Sequence, residues 1–227
     1  MYFILILFAF LSTFLAVFLV RYLPKYLDMQ HKLTYKPLHS PYKLKPYFHK
    51  NIFILFYVVT LLIFFFISHF FHANLHSYLL MFFCWVVLVL VMIDFITLYL
   101  PDSITLTMIW LGLLKEYFGP TQLIGMKEAV MGAALSYIFL RLLSEIFFFV
   151  RKKEPLGRGD MKFFAMIGAW FGFEATLFTI ILSSFGVCIW YASKLFIFKP
   201  KKNKMNQYFP YGPWIGLGIF TYIILSH

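Results

Sequence analysis

Leu61-Leu62-Ile63-Phe64-Phe65-Phe66-Ile67 is apolar at every position. A strand of a membrane barrel would alternate polar and apolar residues over ~10 positions, and this run does not alternate. It lies within the longer apolar run 52–71, close to the ~20 residues a helix needs to cross ~30 Å of hydrocarbon. Similar runs recur at 2–20, 78–95, 103–118, 127–150, 161–173, 175–198 and 209–226. Irregular chain cannot face lipid with its amides unpaired, so such runs must be helical. The fold class expected is all-α, a polytopic helical membrane protein of about eight transmembrane helices.

Composition agrees. The 227 residues are 62% hydrophobic and only 13% charged, with a mean hydropathy of +0.83. A soluble domain sits nearer half apolar and a quarter charged. The net charge of +11 would raise nucleic acid as a partner, but the basic residues sit in short loops between apolar runs. They point instead to topology and to anionic lipid headgroups. Seventeen of the twenty Lys and Arg residues fall in three segments, 21–50, 151–162 and 194–208. With eight spans and both termini outside, all three segments are cytoplasmic. The run 2–20 has no basic residue before it, so it is read as the first membrane helix rather than a cleaved signal. Cys84 and Cys188 lie inside apolar runs without metal-type spacing and are expected to pack as small hydrophobes. His69, His72 and His76 lack a carboxylate or cysteine partner, and an interfacial cluster is expected rather than a metal site.

Acidic residues in or beside membrane spans are costly and therefore candidates for chemistry. Of the nine acids, Asp28, Glu116, Glu128 and Glu154 fall in loops and are expected to face water, as is Glu174 in a short turn. Glu145 stands four residues from Arg141 and is expected to pair with it along one helix face. Asp94, Asp102 and Asp160 remain, all at the same cytoplasmic depth in the charge-derived topology. Each has a plain structural reading: Asp94 as a loop residue, Asp102 and Asp160 as helix caps. Two carboxylates at one depth on separate helices also meet the first condition for peptide hydrolysis. One activates water as a base, while its protonated partner donates to the carbonyl oxygen. Gly157 and Gly159 let the backbone before Asp160 turn sharply or approach a bound peptide.

These residues together resemble the type IV prepilin peptidases. Asp94 is followed by six residues and Pro101-Asp102, then by Trp110-Leu111-Gly112-Leu113. Gly157-Arg158-Gly159-Asp160-Met161-Lys162 precedes Gly168-Ala169-Trp170-Phe171-Gly172. Phe209-Pro210-Tyr211-Gly212-Pro213 is similar to a late segment of the same family. The resemblance covers roughly 78–226. It implies catalysis by Asp94 and Asp160, with Asp102, Pro101, Gly157, Gly159 and Lys162 structural or substrate-positioning. Lys162 would hold a carboxylate or the leader backbone, or else snorkel to water.

The implied reaction is removal of the basic leader from prepilin or pseudopilin substrates of type IV pilus or type II secretion systems. It would take place at the cytoplasmic face of the bacterial inner membrane. The chain is expected to be one membrane-embedded domain over 1–227. In place of the cysteine-rich cytoplasmic insertion of many relatives stands the short cysteine-free basic loop 21–50, so no metal is expected. Proteolysis needs no cofactor; the family's second activity, N-methylation of the new terminus, would use S-adenosylmethionine. The alternatives from other classes are a proton-coupled small membrane transporter using intramembrane acids and a non-catalytic assembly scaffold.

Overall fold

A computed structural model describes Ser12, Phe14 and residues 50–70, 75–119, 124–152, 156–198 and 210–226. The basic loop 21–50 except Lys50, the loop at 199–209, and Asp28, His72 and Glu154 lie outside the described residues. Every described element is helical: α1 Lys50–Phe70, α2 Leu75–Thr97, α3 Asp102–Phe118, α4 Met126–Arg151, α5 Arg158–Phe198 and α6 Gly212–Leu225. The protein is an all-α helical membrane protein. Three helices are long and apolar enough to cross a bilayer, within 75–95, 126–150 and 158–193, and two shorter apolar ones cover 54–69 and 212–225. The helices overlay seven of the eight expected runs; of the run 2–20 only Ser12 and Phe14 are described.

The chain forms two compact units, Met1–Thr97 and Leu98–His227. In the first, α1 presents buried Phe56, Thr60, Phe64 and Ile67 along one stripe, the spacing that places residues on one helix face. Thr60 hides its hydroxyl by donating to the Phe56 carbonyl at 2.8 Å. Trp85 of α2 donates its indole N–H to the Ser12 carbonyl at 3.1 Å. Nearly every side chain of α2 from Leu80 to Asp94 is buried, Cys84 included.

The second unit is built on α5, which is one helix only by continuity. Gly172 has φ 83 and ψ 176, a left-handed setting natural only to glycine. There the chain folds back: the Thr176 hydroxyl lies 3.5 Å from the Phe164 carbonyl. Twelve residues of straight helix would separate them by ~18 Å. The apolar runs 161–173 and 175–198 are thus two limbs of a helical hairpin, turning at Gly172 rather than at Glu174, which is exposed as expected. Cys188, expected to pack, is exposed on the second limb.

Small residues let the other helices approach these limbs. A Cβ on Gly168 would run into the Gly132 carbonyl of α4, and one on Gly132 into the Gly168 carbonyl. Beside this crossing the Ser136 hydroxyl donates to Thr176 Oγ1 at 2.9 Å. On the far side, a Cβ on Gly218 of α6 would fall 2.9 Å from Thr179, and Tyr222 meets Phe171 edge-on and Phe178 at a tilt. Helices in lipid gain little from burying apolar surface against each other, so close backbone contact through small residues drives their association. Gly168→Val is therefore expected to destabilise this unit by about 3 kcal/mol, read as a lowered unfolding midpoint in detergent. A wild-type midpoint would show that the crossing is loose.

The outer face of α4 is apolar and open, with Ile146, Phe149 and Val150 at 62%, 81% and 75% exposure. That is the surface lipid requires and water does not tolerate over a large patch. Arg141 and Glu145 pair at 2.7 Å on the same helix, as their spacing predicts.

Candidate active site

The Gly-Arg-Gly-Asp segment opens α5. Gly157 stands just before the helix, and its carbonyl accepts from the Met161 amide at 3.4 Å. Asp160, read from sequence as a helix cap, instead lies inside the first turn. That end of a helix carries unpaired N–H groups and favours negative charge. The carboxylate folds back along the chain: a Cβ on Gly157 would come within 2.9 Å of Asp160 Oδ2. The first glycine of the motif is thus open space reserved for the carboxylate. The second serves packing, since a Cβ on Gly159 would meet the Leu100 Cβ at 2.9 Å.

Leu100 leads into Pro101, which caps α3 with φ −73 and ψ 123. The Pro101 carbonyl accepts from the amides of Ile104 and Thr105 at 3.1 and 3.2 Å. Asp102 is not the cap that its position after proline suggested. It is the first helical residue and makes no side-chain cap bond. The reason is a better partner: Lys162 donates to Asp102 Oδ2 at 2.5 Å. Of the roles open to Lys162, the structure shows the carboxylate-holding one. With 23% and 50% of the two side chains exposed, water screens the pair, which is worth no more than ~1 kcal/mol. It ties the start of α3 to the start of α5.

Six of the residues singled out in the sequence, Pro101, Asp102, Gly157, Gly159, Asp160 and Lys162, thus gather where these two helices begin. Asp94 belongs to the first unit. It is not a loop residue but lies within α2, three positions before its end at Thr97, and is buried at 5% exposure.

Sequence reasoning missed a second charged group. Lys115 and Glu116, the latter expected in a water-facing loop, lie within α3 and are buried, with their side chains 5% and 0% exposed. Lys115 Nζ stands 2.6 Å from Glu116 Oε1, and the Gly125 amide donates to Glu116 Oε2 at 3.0 Å. The lysine also sits over the Trp170 ring, 5.3 Å from its centroid. Proximity to the end of an apolar run was the signal misread, because it fits an exposed loop and an inward-turned last turn equally well. Glu128, expected in a loop, is exposed in the first turn of α4. Among the described residues no group of three or more His, Cys, Asp or Glu side chains is placed to hold a metal.

Comparison with known proteins follows the same residues. The sequence profile described as the type IV leader peptidase family matches residues 81–192. A prepilin leader peptidase/N-methyltransferase of Pseudomonas putida is 32% identical over 146 residues, 64% of this chain and 49% of that protein. Proteins of the same description from Pectobacterium carotovorum subsp. carotovorum and Stutzerimonas stutzeri are each 34% identical. They cover 58% and 59% of this chain and 45% and 44% of their own lengths. The chain therefore spans about half the length of the curated relatives it matches. No solved structure matches. Residues 81–192, which hold both aspartate motifs, are the part of the chain that resembles the type IV leader peptidase family.

Proposed function

We propose that this protein is an intramembrane aspartic endopeptidase that removes the basic leader from prepilin or pseudopilin substrates. The observation that carries the reading is the family match over 81–192, which spans both Asp94 and Asp160. Their settings support it: Asp94 is buried near a helix end, and Asp160 lies in a helix first turn with its carboxylate lodged over Gly157. In this reading the two carboxyl groups share one proton. The ionised member draws a proton from water as the water attacks the scissile carbonyl, and the protonated member donates to the carbonyl oxygen. The proton belongs to the pair, so the pH dependence is a property of both acids together.

The chain acts as one membrane-embedded peptidase domain over 1–227, with the short basic loop 21–50 in place of a zinc-type domain. The site faces the cytoplasm from the bacterial inner membrane, and the substrate's own apolar helix is held by lipid beside the enzyme. Membrane residence then does part of the positioning that a soluble protease must do with binding contacts. N-methylation of the product would require S-adenosylmethionine.

The transporter reading has one observation on its side, the buried Lys115–Glu116 pair. That pair, with the Gly125 amide on Glu116, lies in the last turn of α3, whereas a relay is expected at mid-membrane on paired broken helices. The deciding experiment is to incubate the purified protein in detergent with a prepilin and weigh the product. A product shortened by the leader is expected. Substrate of unchanged mass would overturn the peptidase reading, and a product heavier by one methyl group would add the second activity.

A further inference from the structure

Trp170 lies on the first limb of α5, ten residues beyond Asp160, and is held by α3 at several points. Its indole N–H donates to the Met108 carbonyl at 2.8 Å. Its ring fills the space over Gly112, where a Cβ would come within 2.7 Å of it. Its face lies under the Lys115 ammonium. Met108, Gly112 and Lys115 follow one another along a single face of α3. Glu116 anchors that ammonium and, through the Gly125 amide, fastens the beginning of α4 to the same place.

An ion pair removed from water loses several kcal/mol of hydration per ion, and well-packed apolar residues in its place are often as stable or more so. The alignment here is poor as well. Despite the 2.6 Å approach to Glu116, the Lys115 ammonium has no well-directed hydrogen bond among the described residues. Stability alone is thus a weak reason for this pair. What it does geometrically is clear: it fixes the far end of the limb that begins with Asp160. The near end is fixed by Lys162 on Asp102 and by Gly159 on Leu100. Two points define the tilt and rotation of a rigid helix, and the far point is the one that water cannot screen.

We propose that Lys115 and Glu116 are positioning residues for Asp160, acting through Trp170 to set the seat of the helix that carries the catalytic carboxylate. The proposal rests on the peptidase reading, but its test has a readout independent of it. In the full-length protein, Lys115→Met combined with Glu116→Leu removes both charges and keeps the volume. The unfolding midpoint is expected to hold or rise. kcat for leader cleavage is expected to fall ~10-fold or more with KM within ~2-fold, the mark of a displaced catalytic group rather than lost binding. Backbone amide exchange over 161–168 is expected to quicken.

A double variant with wild-type kcat and wild-type exchange would overturn the proposal and leave the pair as packing. If that variant does not fold, Trp170→Phe serves instead. It keeps a ring but loses the bond to Met108, and is expected to show the same split of kcat from KM with faster exchange. Wild-type values for both would again overturn the proposal. Should the unaltered protein cut no prepilin, the peptidase reading falls, and exchange over 161–168 still decides the positioning claim.

Discussion

Asp94→Asn and Asp160→Asn are each expected to lower the rate of leader removal by at least ~10³-fold, the upper part of the range for a lost acid–base group. Asparagine keeps the size and shape of the side chain but cannot take a proton from water or deliver one to a carbonyl oxygen. Neither surviving carboxyl can cover both roles at once, so each single change removes the shared-proton chemistry. Asp102→Asn is the control. Its carboxylate is half-exposed and paired with Lys162, an interaction worth at most ~1 kcal/mol, so most of the activity should survive. The measurement is the initial rate of prepilin shortening in membranes, by gel or mass. Full cleavage by either of the first two variants would end the assignment. A wild-type pH profile that rises and falls, belonging to the pair, is the accompanying signature.

Gly157→Ala is expected to be nearly as damaging to activity, by ~10²-fold in kcat, and far gentler on the fold. The added methyl would meet only Asp160, 2.9 Å from Oδ2 and 3.7 Å from Cγ. Gly157 is exposed, so no buried packing is disturbed. Exchanging glycine for alanine beside a helix start costs at most ~1 kcal/mol. The carboxylate must therefore swing out of its place, and a displacement of ~1 Å at a reacting group can cost ~10²-fold. Rates measured with the unfolding midpoint separate the two effects: a lost kcat with a retained midpoint is the expected result. A Gly157→Ala enzyme as fast as wild type would mean that Asp160 does its chemistry from another rotamer.

Much of this architecture follows from the chain read locally. Runs such as Leu61–Ile67 determine helicity because lipid offers the backbone no other partner. The turn within α5 reads from the sequence at Glu174, two residues from its place, because a gap between apolar runs marks a turn only until the backbone shows Gly172 taking the positive φ. The Arg141–Glu145 pair was equally legible, since four residues along a helix is a fixed distance. So were the two aspartate motifs, whose residue types and spacing are themselves sequence properties.

The partners of the acids were decided only in three dimensions. Asp102 looks like a cap from its neighbours, and sixty residues separate it from the lysine that holds it instead. Gly157 looks like a turn until the Asp160 carboxylate is seen lying where its Cβ would be. Glu116 looks solvated because a charge at the end of an apolar run has the same pattern whether it turns outward to water or inward to Lys115 and Gly125. Hydropathy and spacing are sums over near neighbours along the chain. The energy of a buried charge depends on atoms brought beside it from distant turns, and only the packed helices supply those.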